Sequence, residues 1–301
     1  MRITNNMLVS QQMYGTQLNM AAMNKAQEQL TSGKKINVAS DDPTGATTVM
    51  KANSSLAALA QYKTNVSQAS SRLATEDGVL SQLNDLLARV KELAVGQASS
   101  TATDATRSSA NAEVNEIFKE IVSLGNTQFG NEYLFGGDQS TTAPLQAVGS
   151  GATLDYTSTN PAGQRAVTIG DGQTVTTTHT ATQLFQGTGV LDAVRDLSRS
   201  LDPASASYGQ SGITSAMTSL DKALDSVQTM VGETGARANT LNSASQNLDS
   251  LKTTVSSFKS DVQDVDLESA MTELTSRQLA YQAALVATSK VTSLNLTDYL
   301  R

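Results

Sequence analysis

Residues 52–94, ANSSLAALAQYKTNVSQASSRLATEDGVLSQLNDLLARVKELA, carry an apolar side chain at every seventh position. The positions of this first ladder are Ala52, Leu59, Val66, Leu73, Leu80, Leu87 and Ala94. A sustained seven-residue repeat is typical of helices that pack side by side with a slight supercoil. Because Val49, Leu83 and Val90 broaden the apolar stripe, we predict a long core helix in a bundle rather than an isolated two-stranded coiled coil.

A second ladder with the same period lies in the C-terminal half. Its members are Ile213, Leu220, Val227, the polar Thr234, Leu241, Leu248, Val255 and Val262, with Ala244, Leu251, Phe258 and Val265 as a companion row. If this helix is unbroken, its roughly fifty residues span about 75 Å, although Gly232 and Gly235 are candidate interruptions. Two long ladders this far apart in the chain favour an antiparallel bundle.

The ends of the first helices are readable from single residues. Gly33 is placed to end an N-terminal helix, and Asp42 before Pro43 is placed to cap the next one. Asp41 is assigned to the same helix start, where a carboxylate favours the positive end of the helix dipole. Residues 33–42 are therefore predicted to form a loop between two helices.

The segment 135–189 has no helical period. It contains short β-prone runs at 152–156, 166–169 and 174–178, separated by glycines, with Asp171-Gly172 as a hairpin-turn candidate. We predict a mainly α protein with a β-rich insert: a long antiparallel helical rod built from both chain ends and a small β domain in the middle. The predicted divisions are 1–43, 44–134 with 190–265, 135–189, and 266–301.

Both chain ends read as helices with apolar faces. The N-terminal face consists of Met7, Tyr14, Leu18 and Ala21, and the C-terminal face of Leu267, Met271, Leu274, Tyr281 and Leu285. A further stripe of mostly small residues comprises Ala280, Ala284, Ala287, Val291 and Leu294. Either these faces pack inside the same bundle, or the ends pair with each other and with neighbouring molecules. We take the second interpretation and treat these side chains as candidates for an assembly or chaperone interface.

Composition and charge exclude several classes of protein. The 301 residues carry a net charge of −7, which disfavours nucleic acid as the main partner. The chain has no cysteine, no apolar run of about 18 residues for a membrane span, and no signal-peptide pattern at its N-terminus.

No set of residues has the spacing of an active site or a metal site. The single histidine, His179, has no flanking acid, so we predict an exposed strand residue. Asp264, Asp266 and Glu268 alternate like metal ligands but lack the rest of a calcium loop, and are assigned to a helix start. We therefore predict no enzyme activity, cofactor or metal.

Residues 30–43, LTSGKKINVASDDP, resemble the N-terminal signature of the flagellin superfamily. The matching positions are Ser32, Gly33, Ile36, Asn37, Asp41 and Asp42. Lys34-Lys35 and Val38 depart from the usual pattern, and Pro43-Thr44 precedes the matching Gly45. Residues 264–301 are similar to the C-terminal helix of the same superfamily.

Two features resemble the hook-associated protein 3 branch of that superfamily more than true flagellin. One is residues 131–137, NEYLFGG, whose matching positions are Tyr133, Leu134, Phe135, Gly136 and Gly137. The other is the tail at residues 294–300, LNLTDYL.

The resemblance implies a structural protein of the bacterial flagellum. It implies helical self-assembly at the distal end of the hook, between a neighbouring hook-associated junction protein and flagellin. It also implies an extracellular location reached by type III export without a cleaved signal peptide, after a cytoplasmic export chaperone has bound the C-terminal region. A minor flagellin and a soluble binding module with a helical stalk are the alternatives, and the second predicts a monomer with ordered termini.

Overall fold

The computed structural model describes residues 5–159 and 163–299, and most of this chain is helical. The helices are α1 (Asn5–Ser32), α2 (Pro43–Gln97), α3 (Asp104–Gly125), α4 (Val190–Leu201), α5 (Gln210–Gln263) and α6 (Leu267–Tyr299). The chain divides into two compact units, one of Leu59–Asp249 and one of the residues up to Ala58 together with those from Ser250 onward. No helix among the described residues combines the length and apolar content needed to cross a membrane.

The core of the Leu59–Asp249 unit is formed by α2, α3, α4 and α5. Leu73, Leu80 and Leu87 of the first ladder are buried, as are Leu220 and Leu241 of the second. The prediction of a mainly α fold with helices from both ends is therefore confirmed. Gly232 and Gly235 do not interrupt α5, which runs continuously through both.

Ion pairs show that α2 and α5 run antiparallel. Lys63 Nζ lies 2.5 Å from Asp249 Oδ2, and Lys91 Nζ lies 2.6 Å from Asp221 Oδ1. Moving 28 residues forward along α2 therefore corresponds to moving 28 residues back along α5. These exposed pairs contribute little stability, but they define the direction and register of the two helices.

Between α3 and α4, the described residues form three two-stranded antiparallel hairpins. They are β1 (Gln128–Phe129) with β2 (Glu132–Tyr133), β3 (Leu145–Val148) with β4 (Asp155–Ser158), and β5 (Ala166–Gly170) with β6 (Gln173–Thr176). The predicted turn at Asp171-Gly172 joins β5 to β6, and Gly172 has φ 66° there.

The predicted strand at 152–156 is partly wrong, and sequence reasoning missed β3. Gly151–Thr153 form a 3₁₀ turn, in which the amide of Leu154 donates to the carbonyl of Gly151, so β4 begins only at Asp155. A π-helical turn at Thr182–Gly187 was also missed. The burial that holds such short elements comes from distant helices and is invisible to a local pattern.

In the other unit, α1 packs antiparallel along α6. Their adjoining ends are joined by backbone hydrogen bonds: the amide of Lys35 donates to Gln263 O at 2.7 Å, and that of Val265 donates to Gly33 O at 3.0 Å. The C-terminal end of α1 thus meets the N-terminal end of α6.

Candidate assembly surface and its supporting motifs

Alanines occupy the most buried described positions of α1 and α6. Ala26 of α1 and Ala270 of α6 are buried, and their small side chains let the two helix backbones approach closely there. Larger apolar side chains also contribute to the packing. The half-buried ones are Met23 and Leu30 of α1 and Leu274 and Tyr281 of α6.

Other large apolar side chains of both helices remain exposed. The large exposed members of the predicted faces are Met7, Tyr14, Leu18, Leu267, Met271 and Leu285, which are 46% to 64% exposed. Leu274 and Tyr281 are half-buried. Val291 and Leu294 belong to α6, but the structure does not describe their side chains. The interface role of these residues stays a prediction.

Among the described side chains of the same helices, four further large apolar ones are exposed that the sequence analysis did not include among the assembly candidates. They are Met13, Met20, Leu279 and Val286. A signal was present, because Met13 and Met20 are seven residues apart, as are Leu279 and Val286. We name all the exposed apolar side chains of α1 and α6 the terminal apolar face. Grouped exposed apolar side chains of this kind mark sites of association between proteins.

The loop 33–42 is held together by two aspartates with different roles. The Oδ1 atom of Asp42 accepts hydrogen bonds from the amides of Thr44 at 3.0 Å and Gly45 at 2.9 Å, so the predicted helix cap is observed. Asp41 does not serve the helix start. Its Oδ2 accepts from the amides of Asn37 and Val38, both at 3.1 Å, and Lys25 Nζ lies 3.0 Å from its Oδ1.

These contacts change the acidity of Asp41. The backbone hydrogen bond from Val38, the contact with Lys25 and the hydrogen bond from Asn37 together lower the pKa of Asp41 below its usual value. Each of the three favours the charged carboxylate. Asp41 therefore closes the loop as an anion, a role that spacing along the chain does not reveal.

Other residues of the N-terminal motif shape the same loop. Gly33 has φ 69°, the left-handed conformation that ends α1, and the Ser32 hydroxyl accepts a hydrogen bond from the Lys34 amide at 3.2 Å. The Ile36 side chain is buried against Gly45, where a Cβ would lie 2.4 Å from Ile36 Cδ1 and 2.5 Å from Asp42 Oδ2. The motif thus positions the connection between α1 and α2.

Replacing Gly45 by valine is expected to lower the free energy of unfolding by about 1–3 kcal/mol, because the new side chain displaces Ile36 and the capping carboxylate of Asp42. Thermal and denaturant unfolding measure the loss. Gly96→Val is the matched control, since a Cβ on Gly96 of α2 meets nothing within 4 Å. Equal losses in the two variants would contradict the assigned role of Gly45.

The second motif, residues 131–137, fastens the β-rich insert to the helices. Leu134 and Phe135 are buried in the core, and the rings of Phe135 and Phe185 meet edge to face with centroids 5.7 Å apart. Gly137 has φ 53°, and Gly136 approaches the backbone at residues 139–140 closely. The motif therefore contributes to the internal packing of the protein.

Polar contacts of the same motif join the insert to α2. The Glu132 carboxylate accepts hydrogen bonds from Arg72 of α2 and from Arg165, and the Tyr133 amide donates to Ser140 O at 2.7 Å. Arg165, Arg72 and partial burial act on the pKa of Glu132, and the two arginines hold it below the usual value. The carboxylate therefore stays charged and paired.

The prediction for His179 is wrong. This residue lies outside any strand and is only 3% exposed. Its Nδ1 atom is 2.6 Å from Glu76 Oε1, which also accepts the His179 amide hydrogen at 3.1 Å, and its Nε2 atom is 3.1 Å from Glu233 Oε2. Burial lowers the pKa of His179, but the two carboxylates outweigh this and raise the pKa above its ordinary value.

Sequence profiles of two bacterial flagellin regions match this chain. The profile of the N-terminal helical region matches residues 3–140 and that of the C-terminal helical region matches residues 217–300, which together cover more than half of the chain. The chain belongs to the flagellin superfamily. The resemblance inferred from residues 30–43 and 264–301 is therefore confirmed. This superfamily is one of structural flagellar proteins and not of enzymes.

Curated relatives within the flagellin superfamily match parts of the chain. Flagellar hook-associated protein 3 of Salmonella typhimurium is 29% identical over 188 residues, which are 62% of this chain and 57% of that protein. The flagellar filament 41 kDa core protein of Borreliella burgdorferi is 38% identical over 104 residues, which are 35% of this chain and 31% of that protein. The chain thus spans between about a third and somewhat over half of the length of these relatives.

Solved structures of flagellar proteins share the fold. A putative flagellar hook-associated protein from Vibrio parahaemolyticus gives a TM-score of 0.66 at 23% identity, with 74% of this chain and 100% of that chain covered. A flagellar junction protein from Legionella pneumophila gives a TM-score of 0.59 at 13% identity, with 72% and 99% covered. At these identities the likeness concerns the fold.

Proposed function

We propose that this protein is a structural component of the bacterial flagellum that joins hook to filament through helical self-assembly. The observation that carries the proposal is the terminal apolar face, which stays exposed although α1 and α6 pack against each other. Burial of such a surface needs another molecule. Neighbouring copies of the chain cover it along the assembly, and the flanking hook-associated protein and flagellin cover it at either end.

Residues 131–137 favour the junction branch over the filament branch. In this proposal residues 1–43 and 266–301 are the polymerisation regions, residues 44–134 with 190–265 form a rod, and the insert at 135–189 is carried on it. The relative from Salmonella typhimurium named hook-associated protein 3 supports the same assignment.

The proposal includes how the protein reaches its position. It leaves the cell by the flagellar type III route, and a cytoplasmic chaperone covers the C-terminal apolar residues before export. The exposure of Leu267, Met271 and Leu285 supports the need for such a cover, because grouped exposed apolar side chains promote aggregation.

Deletion of the gene tests the proposal. Electron microscopy of the mutant cells is expected to show hooks without filaments, and an assay of the culture medium is expected to find unpolymerised flagellin. Restoring the gene provides the control. Normal filaments on normal hooks in the deletion strain would overturn the junction role.

A minor flagellin is the second candidate, and the relative that forms a flagellar filament core in Borreliella burgdorferi favours it. Long filaments formed by the purified protein alone would support this alternative. Assembly that stops at short oligomers, or that needs a flanking protein, would favour the junction role.

A further inference from the structure

A layer of polar side chains interrupts the apolar core of the α2–α5 pair. On α2, Glu76 occupies the core-facing position between Leu73 and Leu80 and is 0% exposed. On α5, Thr234 holds the corresponding place between Val227 and Leu241 and is 2% exposed. Glu76, His179, Glu233, Thr234 and Arg237 form this group, which we name the polar layer.

The polar layer lies at one level of the helix pair. His179 touches Glu76 of α2 through Nδ1, at 2.6 Å, and Glu233 of α5 through Nε2, at 3.1 Å. Arg237 lies one turn beyond Glu233, with Nη2 3.6 Å from its Oε2. Polar groups from two helices and from the insert therefore meet at the level where Thr234 interrupts the second ladder and Glu76 lies on the core-facing side of α2.

The buried apolar residues separate into two clusters on either side of this layer. One cluster contains α2 from Val79 to Ala94 and α5 from Ile213 to Val227. The other contains α2 from Val66 to Leu73, Leu241 and Leu248 of α5, and Ile169 of the insert. Each side of the layer thus has an apolar core of its own.

Glycines weaken both helices at the same level. Gly78 of α2 and Gly232 and Gly235 of α5 are exposed, and a Cβ added at any of them meets nothing within 4 Å. None of the three has a positive φ, so neither packing nor backbone conformation requires glycine there. Glycine in a helix interior lowers local helix stability relative to alanine.

The polar layer also carries unpaired atoms. Glu76 Oε2 and Thr234 Oγ1 are buried without a hydrogen-bond partner among the described residues. Buried polar atoms of this kind favour local opening, because opening lets water solvate them.

We propose that the polar layer is a bending point, at which the α2–α5 pair opens locally and moves as two blocks that each keep an apolar core. The contact of His179 with both helices holds the closed form. Local openings of this kind are expected where apolar burial is interrupted between two well-packed regions.

Amide hydrogen exchange on the full-length protein tests the proposal. Amides near residues 76–80 and 232–237 are expected to exchange about tenfold faster than those near 66–73 and 241–248, which lie beyond the layer. Protection of the amides from exchange should therefore be lower at the polar layer than on either side of it along α2 and α5. Protection that declines steadily from residue 90 towards residue 59, with no recovery, would overturn the proposal.

A set of glycine variants provides the second arm. Replacing Gly78, Gly232 and Gly235 together by alanine is expected to remove most of the local dip in protection. Gly96→Ala is the matched control, because Gly96 is also a helical glycine whose added Cβ meets nothing, and it lies away from the layer. A dip that is unchanged in the triple variant, or that is lost equally in the control, would contradict the bending point.

Discussion

Deletion of residues 271–301 is expected to abolish assembly while the Leu59–Asp249 unit stays folded. The deletion removes most of α6, and with it the partner of α1 and the C-terminal part of the terminal apolar face. The main apolar core is made entirely of residues within the Leu59–Asp249 unit, so its burial is unchanged. Loss of one unit without the other follows from this division of the core.

Two measurements check this expectation. Circular dichroism should show a cooperative unfolding transition in the truncated protein, and sedimentation should show no large assemblies under conditions in which the intact chain forms them. A second variant, Met271→Ser with Leu285→Ser, keeps α6 and removes only two exposed apolar side chains of the terminal apolar face. A truncated protein that still supports complete filaments in cells would show that the terminal helices are not the assembly surface.

Below about pH 6.5, where His179 carries its proton, replacing Glu76 by alanine is expected to lower the free energy of unfolding by about 3–5 kcal/mol, since it breaks a buried ion pair by removing one partner. The variant leaves the amide and the Nδ1 atom of His179 without their acceptor in a site closed to water. Glu92→Ala, at an exposed position of the same helix, is the control and is expected to change stability by less than about 1 kcal/mol. Denaturant unfolding measures both.

The pH dependence of stability gives an independent readout of the same site. His179 faces Glu76, Glu233 and Arg237, and its pKa is raised, so it binds its proton more tightly in the folded than in the unfolded protein. The stabilisation is therefore fully present below about pH 6.5 and is lost as the pH rises through the raised pKa. The Glu76→Ala variant should lose most of this slope. An unchanged dependence of stability on pH in this variant would show that Glu76 does not help His179 to hold its proton.

The two ladders were predictable because a seven-residue apolar period has one main structural solution, a helix packed along another helix. Leu80, Leu87 and Leu220 are buried where the period places them. Gly33 and Asp42 were equally readable, since a left-handed glycine and a capping carboxylate act within a few residues of their own position.

The environment of His179 was not predictable, because its partners Glu76 and Glu233 lie 103 and 54 residues away along the chain. The nearest sequence signal is the position of Glu76 on the core-facing period of α2, where a buried carboxylate requires a partner. The local sequence therefore indicates that Glu76 needs a partner, but it does not indicate that His179 is this partner.

The sequence by itself determined the two long helices, the two terminal helices, the loop at 33–42 and the superfamily, because each depends on residues close together or on a regular period. The tertiary structure alone decided which face of α1 meets α6, and that Asp41 closes the loop while Asp42 caps the helix. It alone placed the polar layer inside the α2–α5 core. The physical reason is that such choices depend on which distant groups compete for the same burial and the same hydrogen bonds, and a one-dimensional pattern does not contain those distances.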